Sequence, residues 1–244
     1  MTVIPLADSE NIEKHDIGNI DLLVSNHQSK RAILYLHGFP GPYEELPIGE
    51  TRFVDHLFRY VSHSFDFYYP LYTICKQSPF SFIDSLADVA LVLDFLLKSK
   101  TYESVTLIGQ SWGAVVALSL TARFDFSKVI LVTPFLHIPY GVEGQSLVKK
   151  YSQQYPLLLQ PIQLPKLMDE FDYMAKFLSP AHFLPSIDCP TSIFAAEQDE
   201  IVPLRIVHKI LAHNPKARLH VLVGQSHKIE KRSELGRLIF DEID

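Results

Sequence analysis

Gly109-Gln110-Ser111-Trp112-Gly113 follows the apolar run Val105-Thr106-Leu107-Ile108 and precedes Ala114-Val115-Val116-Ala117-Leu118. The five residues spell G-x-S-x-G, and their position between a strand-like run and a helix-like run is the setting in which this pattern carries chemistry. A serine at such a corner sits on a sharp turn at the end of a strand, with its hydroxyl pushed clear of the sheet. The flanking positions have to be small, and Gly109 and Gly113 meet that need. A helix starting here offers unpaired backbone N–H groups and the positive end of its dipole, both suited to an oxyanion.

Working outward, short apolar or β-branched runs alternate with longer amphipathic ones, the βαβ signature of a mainly parallel sheet. The runs Ile20–Val24, Ala32–Leu36, Phe65–Tyr69, Val105–Ile108, Val129–Val132, Ser192–Ala195 and Arg218–Val223 are predicted strands. Helices are predicted over Glu50–His63, Ser81–Leu97, Ser111–Arg123, Pro203–Ala212 and Ile229–Ile243. Leu86, Val89, Ala90, Leu93 and Leu97 show the apolar spacing of three and four that a helix buries on one face. Between Leu136 and Asp188 the alternation breaks, and eight of the sixteen prolines fall from Pro134 to Pro190. Helical pieces over Ser146–Tyr155 and Lys166–Leu178 fit there, but a strand does not. The expected organisation is a core of residues 1–135 and 189–244 interrupted by a small helical cap or lid at 136–188. An elaborated surface loop is the alternative.

Composition excludes several classes. The chain has 244 residues, 47% hydrophobic and 20% charged, as in an ordinary globular protein with a substantial core. Its net charge of −6 and the absence of any Lys/Arg cluster beyond short pairs argue against nucleic acid as a partner. Met1–Glu10 has no basic stretch and no sustained apolar run, so no signal peptide is expected. No run approaches the length of a membrane span. Cys75 and Cys189 are too few for a disulfide framework and are read as free thiols, which points to the cytoplasm. Neither lies in a Cys/His motif, and no metal or cofactor is expected. The oligomeric state is left open.

A serine hydroxyl becomes a good nucleophile only when a base takes its proton and a carboxylate steadies that base. After a G-x-S-x-G serine the partners are sought in the order Asp/Glu, then His. The segment after Ser192–Ala195 reads Ala196-Glu197-Gln198-Asp199-Glu200-Ile201-Val202-Pro203, and the segment after the last strand reads Gly224-Gln225-Ser226-His227-Lys228. Asp199 and His227 are the candidate acid and base, with Glu197 and Glu200 as competing acids. A turn or helix N-cap residue near Pro203 is the alternative role of Asp199. The segment after Val129–Val132, Thr133-Pro134-Phe135-Leu136, holds no carboxylate. Among the other histidines, His220 is placed in a strand, His208 and His213 on a helix, and His137 and His182 beside the cap.

With Leu36-His37-Gly38-Phe39-Pro40-Gly41, the corner at Ser111, and Asp199-x-x-Val202-Pro203 followed by His227, the chain resembles the α/β-hydrolase superfamily over its whole length outside the cap. The resemblance implies an α/β fold with a mainly parallel central sheet flanked by helices. It also implies that His37-Gly38-Phe39 forms the oxyanion loop, with the backbone N–H of Phe39 paired with that of Trp112. His37 then serves loop structure and not proton transfer. Two features depart from familiar subfamilies. Residues Tyr69–Ser78 lack the Asp-x-x-Gly-x-Gly-x-Ser segment of many cap-bearing relatives, and Ala114 replaces a second glycine of the proline-iminopeptidase type.

The expected activity is hydrolysis of a small or medium acyl ester through Ser111, His227 and Asp199. The cap residues Tyr151, Tyr155, Leu157, Leu158, Phe171, Tyr173 and Phe177 are expected to line an apolar pocket. The same triad would serve a thioesterase, a peptidase or amidase, a C–C hydrolase or an acyltransferase. A ligand-binding protein without catalysis, on the same scaffold, is the alternative from another class.

Overall fold

A computed structural model of the chain describes residues 12–41, 51–73, 79–212, 214 and 216–244. Met1–Glu10, Glu50, Cys75 and His213, about which the sequence carried expectations, lie outside the described residues. The elements run β1 (Ile12–Ile17), β2 (Ile20–Ser25), β3 (Arg31–Leu36), α1 (Phe53–Val61), β4 (Asp66–Pro70), α2 (Phe82–Ser99), β5 (Ser104–Gln110), α3 (Trp112–Thr121) and β6 (Lys128–Val132). They continue with α4 (Val142–Gln154), α5 (Leu164–Phe177), α6 (Pro180–Phe183), β7 (Thr191–Ala196), α7 (Leu204–Leu211), β8 (Arg218–Leu222) and α8 (Arg232–Ile243).

The eight strands form one sheet in the order β1-β2-β4-β3-β5-β6-β7-β8. Every pair from β4 to β8 is parallel, while β1 and β2 join antiparallel at one edge. Because successive strand residues point to opposite faces, each central strand feeds two cores. Ala32, Leu34 and Leu36 of β3 and Val129 and Leu131 of β6 join the core under α2, α3 and α7. Ile33, Tyr35, Ile130 and Val132 join the core under α1 and α8. Helix α3 is buried almost all round, which explains why Ala114–Leu118 lacks a polar face.

The seven predicted strands and five predicted core helices are present with ends shifted by a few residues. One strand escaped prediction: β1, Ile-Glu-Lys-His-Asp-Ile, alternates too weakly to stand out and is held by its ladder to β2 across the Gly18-Asn19 turn. Between β6 and β7 the chain makes α4, α5, α6 and two short 3-10 turns, and no strand. Helix α4 starts at Val142, ahead of the expected Ser146, because its leading Gly141 N–H is capped by Asp172 Oδ1 of α5 at 2.9 Å. No helix among the described residues is long and apolar enough to cross a membrane.

Candidate active site

The loops after β3, β5, β7 and β8 open at the same end of the parallel sheet, the C-terminal end of each strand, and there Ser111, Asp199 and His227 meet. Ser111 is the single residue between β5 and α3 and has φ +49° and ψ −115°, a backbone conformation that L side chains rarely adopt. Its neighbours hold it there. Ser111 N–H donates to Val132 O at 2.9 Å, and Ser111 O accepts from Ala114 N–H at 3.0 Å and Phe135 N–H at 3.1 Å. The small flanks are obligatory: a Cβ on Gly113 would lie 2.1 Å from Leu36 O, and one on Gly109 would lie 2.6 Å from Gly113 O.

Ser111 Oγ lies 2.8 Å from His227 Nε2, and His227 Nδ1 lies 2.8 Å from Asp199 Oδ2. With the carboxylate on Nδ1, that nitrogen carries the proton and Nε2 presents its lone pair to the serine hydroxyl. Asp199 does two jobs at once. Its Oδ1 accepts Ile201 N–H at 2.9 Å and Val202 N–H at 2.8 Å, the turn role open from the sequence, which leaves Oδ2 aimed at the imidazole. Asp199 and His227 are both buried. Glu197 is turned away to Gly224 N–H at 2.9 Å, and Glu200 reaches only the His227 backbone N–H at 3.4 Å. The two loops are tied by Gln198 N–H donating to Gln225 O at 2.9 Å. Gln225 Oε1 in turn accepts Glu230 N–H at 3.0 Å and Lys231 N–H at 2.9 Å, bracing the turn that carries His227.

The loop after β3 runs against the serine, so closely that a Cβ on Gly38 would sit 3.0 Å from Ser111 Cβ. Among the described residues, neither Phe39 N–H nor Trp112 N–H has a hydrogen-bond acceptor, and both belong to backbone that flanks Ser111. His37 is buried, stacked on Tyr72 at 4.1 Å between ring centroids, with Nδ1 2.7 Å from Gly38 O. Burial, reinforced by the nearby Arg52 guanidinium, lowers its pKa from 6.5 to about 4 against the opposing hydrogen bond to Gly38. The imidazole is therefore neutral at physiological pH and braces the loop.

A cavity of about 1010 Å³ opens over Ser111 and His227. Phe39, Phe82, Trp112 and Phe171 make one aromatic wall, with Phe80 behind it: Phe39 packs on Phe80 (5.6 Å), Phe80 on Phe82 (5.0 Å), and Phe82 on both Trp112 (5.0 Å) and Phe171 (5.5 Å).

No family model matches the chain. A serine hydrolase of Mus musculus, BPHL, is 25% identical over 171 residues, which is 60% of this chain and 57% of that protein. Among solved structures, an esterase from Butyrivibrio proteoclasticus, Est1E with ferulic acid bound, superposes with a TM-score of 0.70 at 17% identity, over 94% of this chain and 96% of that one. A thermophilic esterase from Thermogutta terrifontis with malate bound superposes with a TM-score of 0.69 at 15% identity, over 95% and 98%. The chain has the α/β-hydrolase fold.

On this α/β-hydrolase fold, the segment between β6 and β7 contributes Tyr151, Tyr155, Leu157, Leu158 and Phe171 to the cavity lining, as expected. Tyr173 and Phe177 are a correction. They pair with each other at 4.9 Å on the outer face of α5 and are each about half exposed (50% and 51%). Helical phase is the reason: α5 turns Leu167, Glu170, Phe171 and Met174 inward, and 173 and 177 fall on the flank of that stripe, beyond its buried edge. His137 is exposed at the cavity, His182 lies on α6 away from it, and Cys189 is a free thiol.

Sequence reading missed Glu170. This buried carboxylate of α5 accepts Ser81 Oγ–H and Phe82 N–H, both at 2.8 Å, and so caps α2 from across the chain. The i, i+3, i+4 spacing of Leu167, Glu170, Phe171 and Met174 was the available signal that it points inward.

Proposed function

We propose that the chain is a serine hydrolase that cleaves carboxylic esters, with Ser111 as nucleophile, His227 as general base and Asp199 as the group that orients and steadies the imidazole. The observation that carries this reading is the continuous relay from Ser111 Oγ to His227 Nε2 and from Nδ1 to Asp199 Oδ2, 2.8 Å at each step. His227 takes the Ser111 hydroxyl proton as Oγ forms a bond to the ester carbonyl carbon. The oxyanion that develops is met by the free N–H groups of Phe39 and Trp112, donors of a kind worth about 2.7–4 kcal/mol in related chemistry. As the carbonyl reforms, the bond to the alcohol oxygen breaks and His227 returns its proton to that oxygen. Water, deprotonated by His227, then attacks the acyl-enzyme carbonyl; the bond to Ser111 Oγ breaks, His227 returns the proton to Oγ, and the acid is released.

Segment 136–188 is the cap of this reading. Its apolar lining residues, with Phe39, Phe82 and Trp112 of the core, suit a hydrocarbon or aromatic portion of the ester. Relatives on the fold named as esterases or serine hydrolases support the same reaction class.

A panel of p-nitrophenyl esters of increasing acyl length, with thioester and amide counterparts and Ser111→Ala as the blank, tests the proposal. Turnover of esters above the others, abolished in Ser111→Ala, is the expected result. Preferential turnover of thioesters or amides would move the assignment to those bonds. No turnover by the folded protein would favour a binding protein on the same scaffold.

A further inference from the structure

Tyr151 stands on α4, half-buried at the cavity that opens over Ser111 and His227. Its ring is fixed on two sides: it meets Phe39 of the oxyanion loop edge-on at 5.8 Å and stacks on Tyr155 at 6.3 Å with 19° between the planes. The two tyrosines differ at their hydroxyls. Tyr155 OH accepts from Gln154 Nε2 at 3.0 Å, whereas no hydrogen bond to protein engages Tyr151 OH among the described residues. A phenol whose ring is held by packing at the wall of an open cavity, and whose hydroxyl has no protein partner among the described residues, is an apolar body with a polar tip awaiting a partner.

The surroundings say what kind of partner. Burial keeps the Tyr151 phenol protonated, and the charges of Tyr155, Glu200 and Asp199 act in the same direction, so the group is a donor throughout the physiological range. Lys150 and Lys228 also line the cavity, but the carboxylates that bear on this hydroxyl are those of Glu200 and Asp199. Negative charge on that side disfavours an anionic acceptor and leaves a neutral oxygen as the fitting one.

We propose that Tyr151 is a specificity-determining residue, donating a hydrogen bond from its phenol to a neutral oxygen in one arm of the ester. Ether, hydroxyl and second carbonyl oxygens all qualify. The preferred substrates are then oxygenated esters in which the remaining carbon packs on the aromatic wall. This rests on the ester-hydrolase reading and narrows its substrate class.

The test is an oxygen scan. Matched esters are compared in which one CH2 of the acyl arm, or one CH2 of the alcohol arm, is replaced in turn by an ether oxygen. The readout is the ratio of kcat/KM for each oxa ester to that for its all-carbon counterpart, in the parent and in Tyr151→Phe, which keeps the ring. Intrinsic reactivity cancels in the comparison between the two proteins. At one position of the oxygen, the ratio should fall by roughly 3- to 10-fold in Tyr151→Phe, expressed mainly in KM. The arm that responds identifies where the acceptor lies. An unchanged ratio at every position would overturn the proposal. Measured as binding to Ser111→Ala with and without Tyr151→Phe, the same comparison reads the hydroxyl without turnover. Failure of the parent to cleave any ester, with Ser111 inert to a fluorophosphonate, would instead count against the hydrolase reading.

Discussion

The two ends of the sheet are built to opposite rules. At the C-terminal ends of the strands the backbone is forced and polar groups are left open. Ser111 has φ +49°, Thr133 has φ +35°, and His37 Nε2, Trp112 Nε1 and Thr133 Oγ1 are buried without a partner among the described residues. At the N-terminal ends two carboxylates gather several donors each. Asp66, buried at the start of β4, accepts His27 N–H (2.8 Å), Ser29 N–H (3.0 Å), Tyr102 OH (2.9 Å) and Lys100 Nζ (3.0 Å). Glu242, near the end of α8, accepts Ser192 Oγ–H (2.9 Å), Lys128 Nζ (3.0 Å) and Arg218 Nη1 (3.0 Å), gathering the starts of β6, β7 and β8. The contrast teaches a division of labour. One end fastens helices and loops to the sheet and holds one left-handed non-Gly residue, Gln28 (φ +57°), whereas Ser111, Thr133 and Ile229 (φ +55°) fall at the end where the reaction is proposed.

That division can be broken by substitutions chosen at each end. The largest expected effect belongs to Asp199→Asn. The amide oxygen can still accept Ile201 and Val202 N–H, so the loop should survive and the melting temperature should change little. The imidazole would adopt the wrong tautomer, and kcat should fall by about 10⁴-fold. Activity near that of the parent would return the acid role to Glu197 or Glu200.

Glu242→Gln should do the reverse. Removing the charge from the hub of Lys128, Ser192 and Arg218 should cost about 2 kcal/mol, a Tm loss of roughly 4–8 °C, with kcat/KM unaltered while the protein is folded. Those partners lower the Glu242 carboxyl from 4.5 to about 2 against its partial burial. A depressed carboxyl stabilises the fold above its unfolded value and loses that contribution as pH falls through its folded value. The Tm gap between parent and variant should therefore be full at pH 6 and close as pH falls from 4.5 toward 2, which thermal melts across that range would record. A gap independent of pH would remove the charge from the explanation.

The smallest effect is expected at the seam between the ends. Glu170→Gln loses part of the clasp on Ser81 and Phe82, and should raise KM a few-fold with a loss of about 1 kcal/mol in stability. A change confined to Tm, with KM untouched across an acyl-length series, would show that the clasp does not transmit to the aromatic wall.

What could be read from the residues follows the same contrast. Runs such as Val129–Val132 declare themselves as strands because both faces of a central parallel strand are buried. Ser111 and Asp199 were legible because each follows such a run, and His227 because it follows the half-exposed edge strand β8, in the order that the G-x-S-x-G corner requires. β1 was hidden because its stability comes from pairing with β2 and not from its own apolar content. The start of α4 was hidden because its cap, Asp172, lies 31 residues away. Tyr173 and Phe177 misled because aromatic content says nothing of helical phase. The Glu170 clasp spans 88 residues between Phe82 and its acceptor, a separation that no local pattern reports.

The central claim is that Ser111 is an activated nucleophile, and the most direct measurement is covalent capture. The folded parent is treated with a fluorophosphonate and the modified peptide is located by mass spectrometry. A single adduct is expected on Ser111, formed rapidly in the parent, at least about 10²-fold more slowly in Asp199→Asn, and not at all in Ser111→Ala. An adduct on another residue, or an unmodified Ser111 in well-folded parent protein, would contradict it.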